Sequence, residues 1–209
     1  MEKERAARIL QTLSEMYPDA RPGLHFHNAY ELLIATILSA QCTDVRVNKV
    51  TPALFQAFPD PAAMAECSPE VLEEYIKTCG MYHTKALNII KTSRIIAEEY
   101  GGIVPADREK LQALPGVGRK TANVVLSNAF GIPALAVDTH VFRVTNRIGL
   151  ADAENVFDTE QQLLAIIPEE YWSIAHHWLI WHGRRVCSAR KPACESCRLK
   201  AECDYYKNL

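Results

Sequence analysis

Four cysteines in the last part of this 209-residue chain, Cys187, Cys194, Cys197 and Cys203, follow the pattern C-x6-C-x2-C-x5-C. Thiolates at that spacing can meet at one metal centre, on a stretch too short to build a core of its own. Zinc sites with four cysteines usually draw on two short C-x2-C pairs, and here only Cys194 and Cys197 form one. A bacterial ferredoxin run is tighter and closes on Cys-Pro, which is absent. A [4Fe–4S] cluster, held by four thiolates at any spacing the loop can span, is preferred, and zinc stays open as the alternative. Arg190, Lys191, Pro192, Arg198 and Lys200 lie between the ligands, so the metal loop is also basic and suited to a phosphate backbone. Cys42, Cys67 and Cys79 are scattered in apolar contexts and read as small buried side chains. No secretory signal is visible after the charged Met1–Arg8, so a reducing cytoplasm is expected and disulfides are not.

A second stretch with chemical potential is Leu114-Pro115-Gly116-Val117-Gly118, between two helical patterns. Proline fixes φ, and the two glycines allow angles and close approach that side chains forbid. Such a hairpin presents backbone N–H groups at the positive end of the next helix, a seat for phosphate. An ordinary glycine-containing turn reads the same way from these five residues alone.

The flanks add to this. Leu114-Pro115-Gly116-Val117-Gly118-Arg119-Lys120-Thr121-Ala122, then Val137-Asp138-Thr139-His140, resembles the helix-hairpin-helix DNA glycosylase superfamily. With Leu38-Ser39-Ala40-Gln41 and the four-cysteine loop, the resemblance is to its iron–sulfur, endonuclease III type and runs over nearly the whole chain. It implies that Lys120 is the nucleophile and Asp138 the catalytic carboxylate. A neutral amine attacks C1′ of the damaged nucleotide's sugar, stays attached as a Schiff base, and so permits β-elimination of the 3′ phosphate. Free lysine is only about 0.1% neutral near pH 7.4, so desolvation or a positive field must favour its neutral form. The start of the helix after Gly118, with Arg119, is expected to supply that field. Asp138 is expected to favour the developing sugar cation while capping the helix at Thr139. Related adenine glycosylases that only remove the base lack this lysine.

A stacked base must be turned out of the duplex and the gap propped open. By resemblance, Gln41 and Met81 are the wedge residues, with Leu114, Gly116, Gly118, Arg119, His140, Arg190 and Lys191 as the other DNA contacts. Members commonly carry a branched apolar residue in place of Met81 and Asn or Arg in place of His83, which leaves the opposite-strand contacts open. His140 reads as a hydrogen-bonding neighbour of Asp138, and His176 and His177, near Trp178 and Trp181, as packing residues.

These residues need a scaffold, and the pattern for one is helical. Ile9, Leu13 and Met16 share a face of Glu4–Met16. Asn28 can cap a helix through Leu38, Thr43 or Asp44 the next, and Ser68-Pro69 one that runs to Gly80. Further helices are expected over Thr84–Tyr100, Asp107–Ala113, Gly118–Phe130, Thr139–Ile148, Thr159–Ile166 and Glu169–Val186. The fold expected is all-α in two lobes: Pro22–Gly131 with the hairpin, and residues 1–21 joined to 132–209 with the cluster loop (187–203). By resemblance a DNA cleft lies between them, with Lys120 and Asp138 facing each other across it. Hydrophobic residues make up 48% of the chain, enough for a proper core, and no apolar run suffices to cross a bilayer. The net charge of −2 is uninformative about DNA, because charge is segregated. Ala151–Glu170 has six acids and no Lys or Arg, whereas Arg184–Leu209 has seven bases against three acids.

The function implied is excision of oxidised pyrimidines from double-stranded DNA, with cleavage at damaged or abasic sites, by a monomer in the bacterial cytoplasm. The alternatives are an adenine or mismatch glycosylase of the same superfamily, a non-catalytic iron–sulfur DNA-binding protein, and a helical zinc protein.

Overall fold

A computed structural model describes residues 2–209, with side chains from Lys3 onward, and contains helices and no strand among them. Contacts along the backbone divide the chain into two compact units: Pro22–Ile132, and the N-terminal residues through Arg21 together with Pro133–Leu209.

The first unit, Pro22–Ile132, is built on α2 (Ala29–Leu38), which is apolar nearly all round and buried from Leu32 to Leu38. A helix without a polar face has to be enclosed. Accordingly α2 packs against α3 (Asp44–Ala57), α6 (Tyr82–Glu99) and α8 (Arg119–Phe130). Short helices α4 (Pro61–Ala65) and α5 (Pro69–Ile76) lie on α6, and α7 (Arg108–Gln112) on α8. Their starts follow capping chemistry: the side chains of Asn28, Thr43, Asp60, Ser68 and Asp107 each accept from a first-turn N–H. Two expectations shift here. The helix opened by Ser68 ends at Ile76, and the stretch to Gly80 is a turn. The helix expected from Thr84 begins two residues earlier, at Tyr82.

In the second unit, α1 (Glu2–Met16) buries Ala6, Ile9, Leu10 and Leu13 against α10 (Val156–Ile166) and α11 (Trp172–Arg185). Helix α9 (Thr139–Ile148) lies on α11 and inserts Val141, Val144 and Ile148. The N-terminal helix is also bolted to the chain's far end. Arg5 donates to the Ile148 carbonyl at 2.7 Å, to Asp204 Oδ1 at 2.6 Å and to the Glu202 carbonyl. Asp204 opens the last short helix, α12 (Asp204–Lys207). Helix α11 starts later than expected, because Glu169–Tyr171 forms a 3-10 turn. Helix α10 starts earlier, capped by Asn155.

Candidate functional site

The hairpin joins α7 to α8 and is held from below. Leu114 is 3% exposed and its carbonyl accepts from Val117 at 3.1 Å, while Thr92 Oγ1 donates to the Pro115 carbonyl at 2.8 Å. Buried this way, the Leu114 side chain anchors the loop, so any contact Leu114 makes with DNA falls to its backbone. Gly116 has φ +78°, and a Cβ there would sit 3.0 Å from Asn88 Cβ. Gly118 is the N-cap of α8, contributes no side-chain cap, and has nothing within 4 Å of where a Cβ would be. The hairpin thus leaves first-turn N–H groups of α8 without a side-chain cap, at the positive end of the helix dipole. Arg119 and Lys120 stand on that turn, both half-buried.

The two glycines make separable predictions. Gly116→Ala is expected to destabilise the protein by about 1–3 kcal/mol, from a strained left-handed residue and the Asn88 contact. Gly118→Ala is expected to cost less than about 1 kcal/mol, yet to weaken duplex binding if a phosphate sits against this backbone. Urea unfolding and a binding titration separate the two effects; equal stability losses would contradict this reading of the turn.

In the second unit Asp138 is the N-cap of α9. Its Oδ1 accepts from the N–H groups of His140 and Val141, both at 2.8 Å, and Oδ2 accepts no hydrogen bond from the described residues. The half-buried carboxylate is delivered by the irregular, buried segment Ala134–Val137, whose Ala136 carbonyl is 2.7 Å from His176 Nδ1. His140 Nδ1 lies 3.2 Å from Arg143 Nη2. Burial is the main cause holding the His140 pKa below its ordinary value, with Asp138 opposing it and Arg143 and Arg184 adding to it. Neutral His140 then accepts from the guanidinium, which fits a structural neighbour of Asp138.

Helix α9 also braces the cysteine loop through residues the sequence did not single out. Arg143 donates to the carbonyls of Gly183 at 3.0 Å and Cys187 at 3.1 Å. Arg147, one turn on, donates to the carbonyls of Ser188 and Ala189, both at 2.8 Å, and approaches Cys187 Sγ at 3.6 Å. An arginine pair at i, i+4 was the visible signal, but its acceptors lie about forty residues away.

Cys187, Cys194, Cys197 and Cys203 line one recess, together with Ile148, Val186, Leu199 and Tyr205. Overlapping turns, in which the N–H of Cys197, Lys200 and Cys203 reach the carbonyls of Cys194, Cys197 and Lys200, bring the last three thiols to its wall. Among the described residues no group of three or more His, Cys, Asp or Glu is placed to hold a metal ion. Burial, then the neighbouring cysteines, raise the Cys194 pKa; burial leads for Cys197 as well, with the other cysteines adding and a Leu199 backbone hydrogen bond opposing. Held as ligands, four thiolates in one apolar recess would repel one another, and a positive centre would relieve that repulsion. His182 joins this wall: its Nε2 is 3.7 Å from Cys197 Sγ, and its Nδ1 is 3.0 Å from the Tyr17 hydroxyl. Burial pushes the His182 pKa down to about 4, so the ring is neutral. The network fits Nδ1 accepting from Tyr17 and Nε2–H turned to sulfur. Of the loop's bases, Arg198 pairs with Glu15 at 2.6 Å, whereas exposed Arg190 and Lys191 form no ion pair among the described residues.

Back in the first unit, Gln41 and Met81 are the two described non-glycine residues with positive φ, at 52° and 57°. That conformation costs roughly 1–2 kcal/mol each, and both side chains are exposed. Their loops adjoin, since a Cβ on Gly80 would lie 3.6 Å from the Gln41 carbonyl oxygen. His83 is engaged by Glu73 at 2.8 Å and by the Tyr82 ring. His176 and His177 are buried, as expected of packing residues.

Residues 34–169 match the family model of the HhH-GPD superfamily base excision DNA repair protein. Endonuclease III of Escherichia coli (strain K12) is 53% identical over 209 residues, covering all of this chain and 99% of that protein. A trapped covalent endonuclease III–DNA intermediate (the estranged-adenine complex) superposes with a TM-score of 0.95 at 47% identity, covering 99% of this chain and 97% of the other. A thermostable thymine-DNA glycosylase has a TM-score of 0.89 at 25% identity, covering 99% and 98%.

Proposed function

The chain belongs to the HhH-GPD superfamily of base excision DNA repair proteins, within its endonuclease III group, and from that premise we propose how its residues share the work. The protein is a bifunctional DNA glycosylase with lyase activity at abasic sites, and its substrate is duplex DNA. The substrate class proposed is DNA carrying an oxidised pyrimidine.

Lys120 supplies the amine. Its position on the first turn of α8, where a cation is opposed by the helix dipole, is the observation that carries the assignment, because it favours the unprotonated form that can attack. The nitrogen bonds to C1′ as the C1′–N bond to the damaged base breaks and the base leaves with a proton; the C1′–O4′ bond then opens, O4′ takes up a proton as a hydroxyl, and C1′ and the nitrogen form the iminium. The iminium acidifies the 2′ hydrogens; one is removed, the C3′–O bond breaks, and the 3′ phosphate departs. Asp138 holds negative charge near the developing sugar cation through Oδ2 while Oδ1 keeps α9 capped. The hairpin N–H groups, Arg190 and Lys191 hold phosphates. Gln41 and Met81 prop the duplex open, and their shared left-handed backbone and exposure support that role.

The cysteine recess fits a [4Fe–4S] cluster in its donor set, four thiols lining one place. Bound there, the cluster would supply a positive centre that fixes the loop's shape. Cys194→Ser is expected to lower thermal stability and duplex affinity together, and to remove absorbance near 400 nm. Unaltered affinity in a colourless protein would contradict this.

Duplexes each carrying one lesion test the substrate class. Nicking 3′ of ring-saturated or hydroxylated pyrimidines, with oxidised purines spared, is expected. Release of mispaired adenine without a nick would favour the monofunctional alternative.

A further inference from the structure

We propose that Cys42 and Cys79 form a reversible disulfide that locks together the loops carrying Gln41 and Met81, and so suppresses their insertion into DNA. The proposal rests on the wedge reading of those two tips. Cys42 directly follows Gln41, and Cys79 is separated from Met81 only by Gly80. Although far apart in sequence, the two cysteines are neighbours, and Cys42 adds to burial in raising the Cys79 pKa. The geometry that brings them together is that of the adjoining backbones, with the Gly80 Cβ position 3.6 Å from the Gln41 carbonyl oxygen.

Beneath them lies Lys85, 4% exposed, whose ammonium donates to the Leu38 carbonyl at 2.8 Å. It is near enough to both sulfurs for each to bear on its proton affinity, against the burial that lowers it. A buried lysine with one carbonyl partner is a source of positive field for the thiol pair. Cys42 is half-buried and reachable, whereas Cys79 is fully enclosed and its pKa is pushed up to about 11, chiefly by burial. The accessible sulfur is therefore the one to meet an oxidant, and the enclosed one resolves the product. Cys67 takes no part; its thiol donates to the Ser68 carbonyl at 3.3 Å.

The oxidant class is a small-molecule disulfide. The Cys42 thiolate attacks one of its sulfurs, forming a mixed disulfide and expelling a thiolate. Cys79 loses its proton and attacks Cys42 Sγ, and the second small thiol leaves. Two protein thiols give up two electrons and two protons in total, and one disulfide becomes two thiols. The S–S bond, about 2.05 Å long, is much shorter than any non-bonded contact between two sulfurs. Its closure draws together two tips that must match a gap in the base stack, and displacements near an ångström cost dearly in such fits.

The cluster-loaded full-length protein, equilibrated with reduced and oxidised glutathione and then alkylated, gives the test. A Cys42–Cys79 cross-linked peptide is expected by mass spectrometry, with absorbance near 400 nm intact. Affinity for a duplex bearing an uncleavable abasic analogue should fall about tenfold, recover with dithiothreitol, and be unresponsive in Cys42→Ala, whose starting affinity is unchanged. Absence of the cross-link at every ratio overturns the proposal and leaves the wedge reading standing. A cross-link with unchanged affinity also overturns it. In that case Gln41→Ala and Met81→Ala on the same duplex decide whether the wedge reading falls too.

Discussion

Lys120→Gln is expected to give a folded protein that keeps its visible absorbance and binds abasic duplex, but nicks it at least about 10⁴-fold more slowly. Glutamine nearly matches the length of lysine and keeps polar atoms at its tip, so the half-buried site is neither emptied nor starved of hydrogen bonds. Removing a cation from the first turn of α8 costs the helix nothing and favours it slightly. What disappears is the one nitrogen able to bond to C1′ and remain as an iminium. Without that iminium the 2′ hydrogens are not acidified, and β-elimination has no route. Gel assays of single-turnover nicking, paired with melting curves, check both halves of the expectation. Nicking within tenfold of the parent would remove Lys120 from the chemistry.

The second large effect is at Asp138, where two roles can be separated by choice of substitute. Asparagine is as good an N-cap as aspartate, so Asp138→Asn keeps an acceptor for the His140 and Val141 N–H groups and should alter stability by less than about 1 kcal/mol. It removes the negative charge that favours the sugar cation, and base excision is expected to slow by about 10²- to 10⁴-fold. Asp138→Ala loses the cap as well and should cost a further 0.5–2 kcal/mol or so of stability. Base release from a lesion duplex is the measurement. Excision at the parent rate in the asparagine variant, with instability in the alanine variant, would leave Asp138 as a helix cap and nothing more.

Much of this site was legible because its chemistry is local. A cap residue and the N–H it serves lie within three positions, so Asn28, Ser68 and Asp107 announce their helices. The hairpin and the four-cysteine loop are likewise contiguous. What was hidden is nonlocal or too short to be periodic. Helix α4 has five residues, fewer than two turns, and only Asp60 and Pro61 mark it. Helix α12 has four. The grip of Arg143 and Arg147 on the cysteine loop needs the packing of α9 on α11, which no spacing discloses. The reading of Cys42 and Cys79 as scattered buried residues saw the burial of Cys79 and missed that their loops adjoin, since proximity across turns leaves no periodic trace. The burial of the Leu114 side chain under the hairpin is likewise a matter of packing that the motif alone does not disclose.

The central claim is that a protein amine, and no water molecule or other side chain, carries the sugar through strand cleavage. Incubating the protein with an abasic duplex and sodium borohydride tests it directly, because reduction fixes any Schiff base as a stable secondary amine. A covalent protein–DNA complex whose modified peptide places the adduct on Lys120 is the expected result. Undiminished nicking with no adduct, or an adduct on another residue, would contradict it.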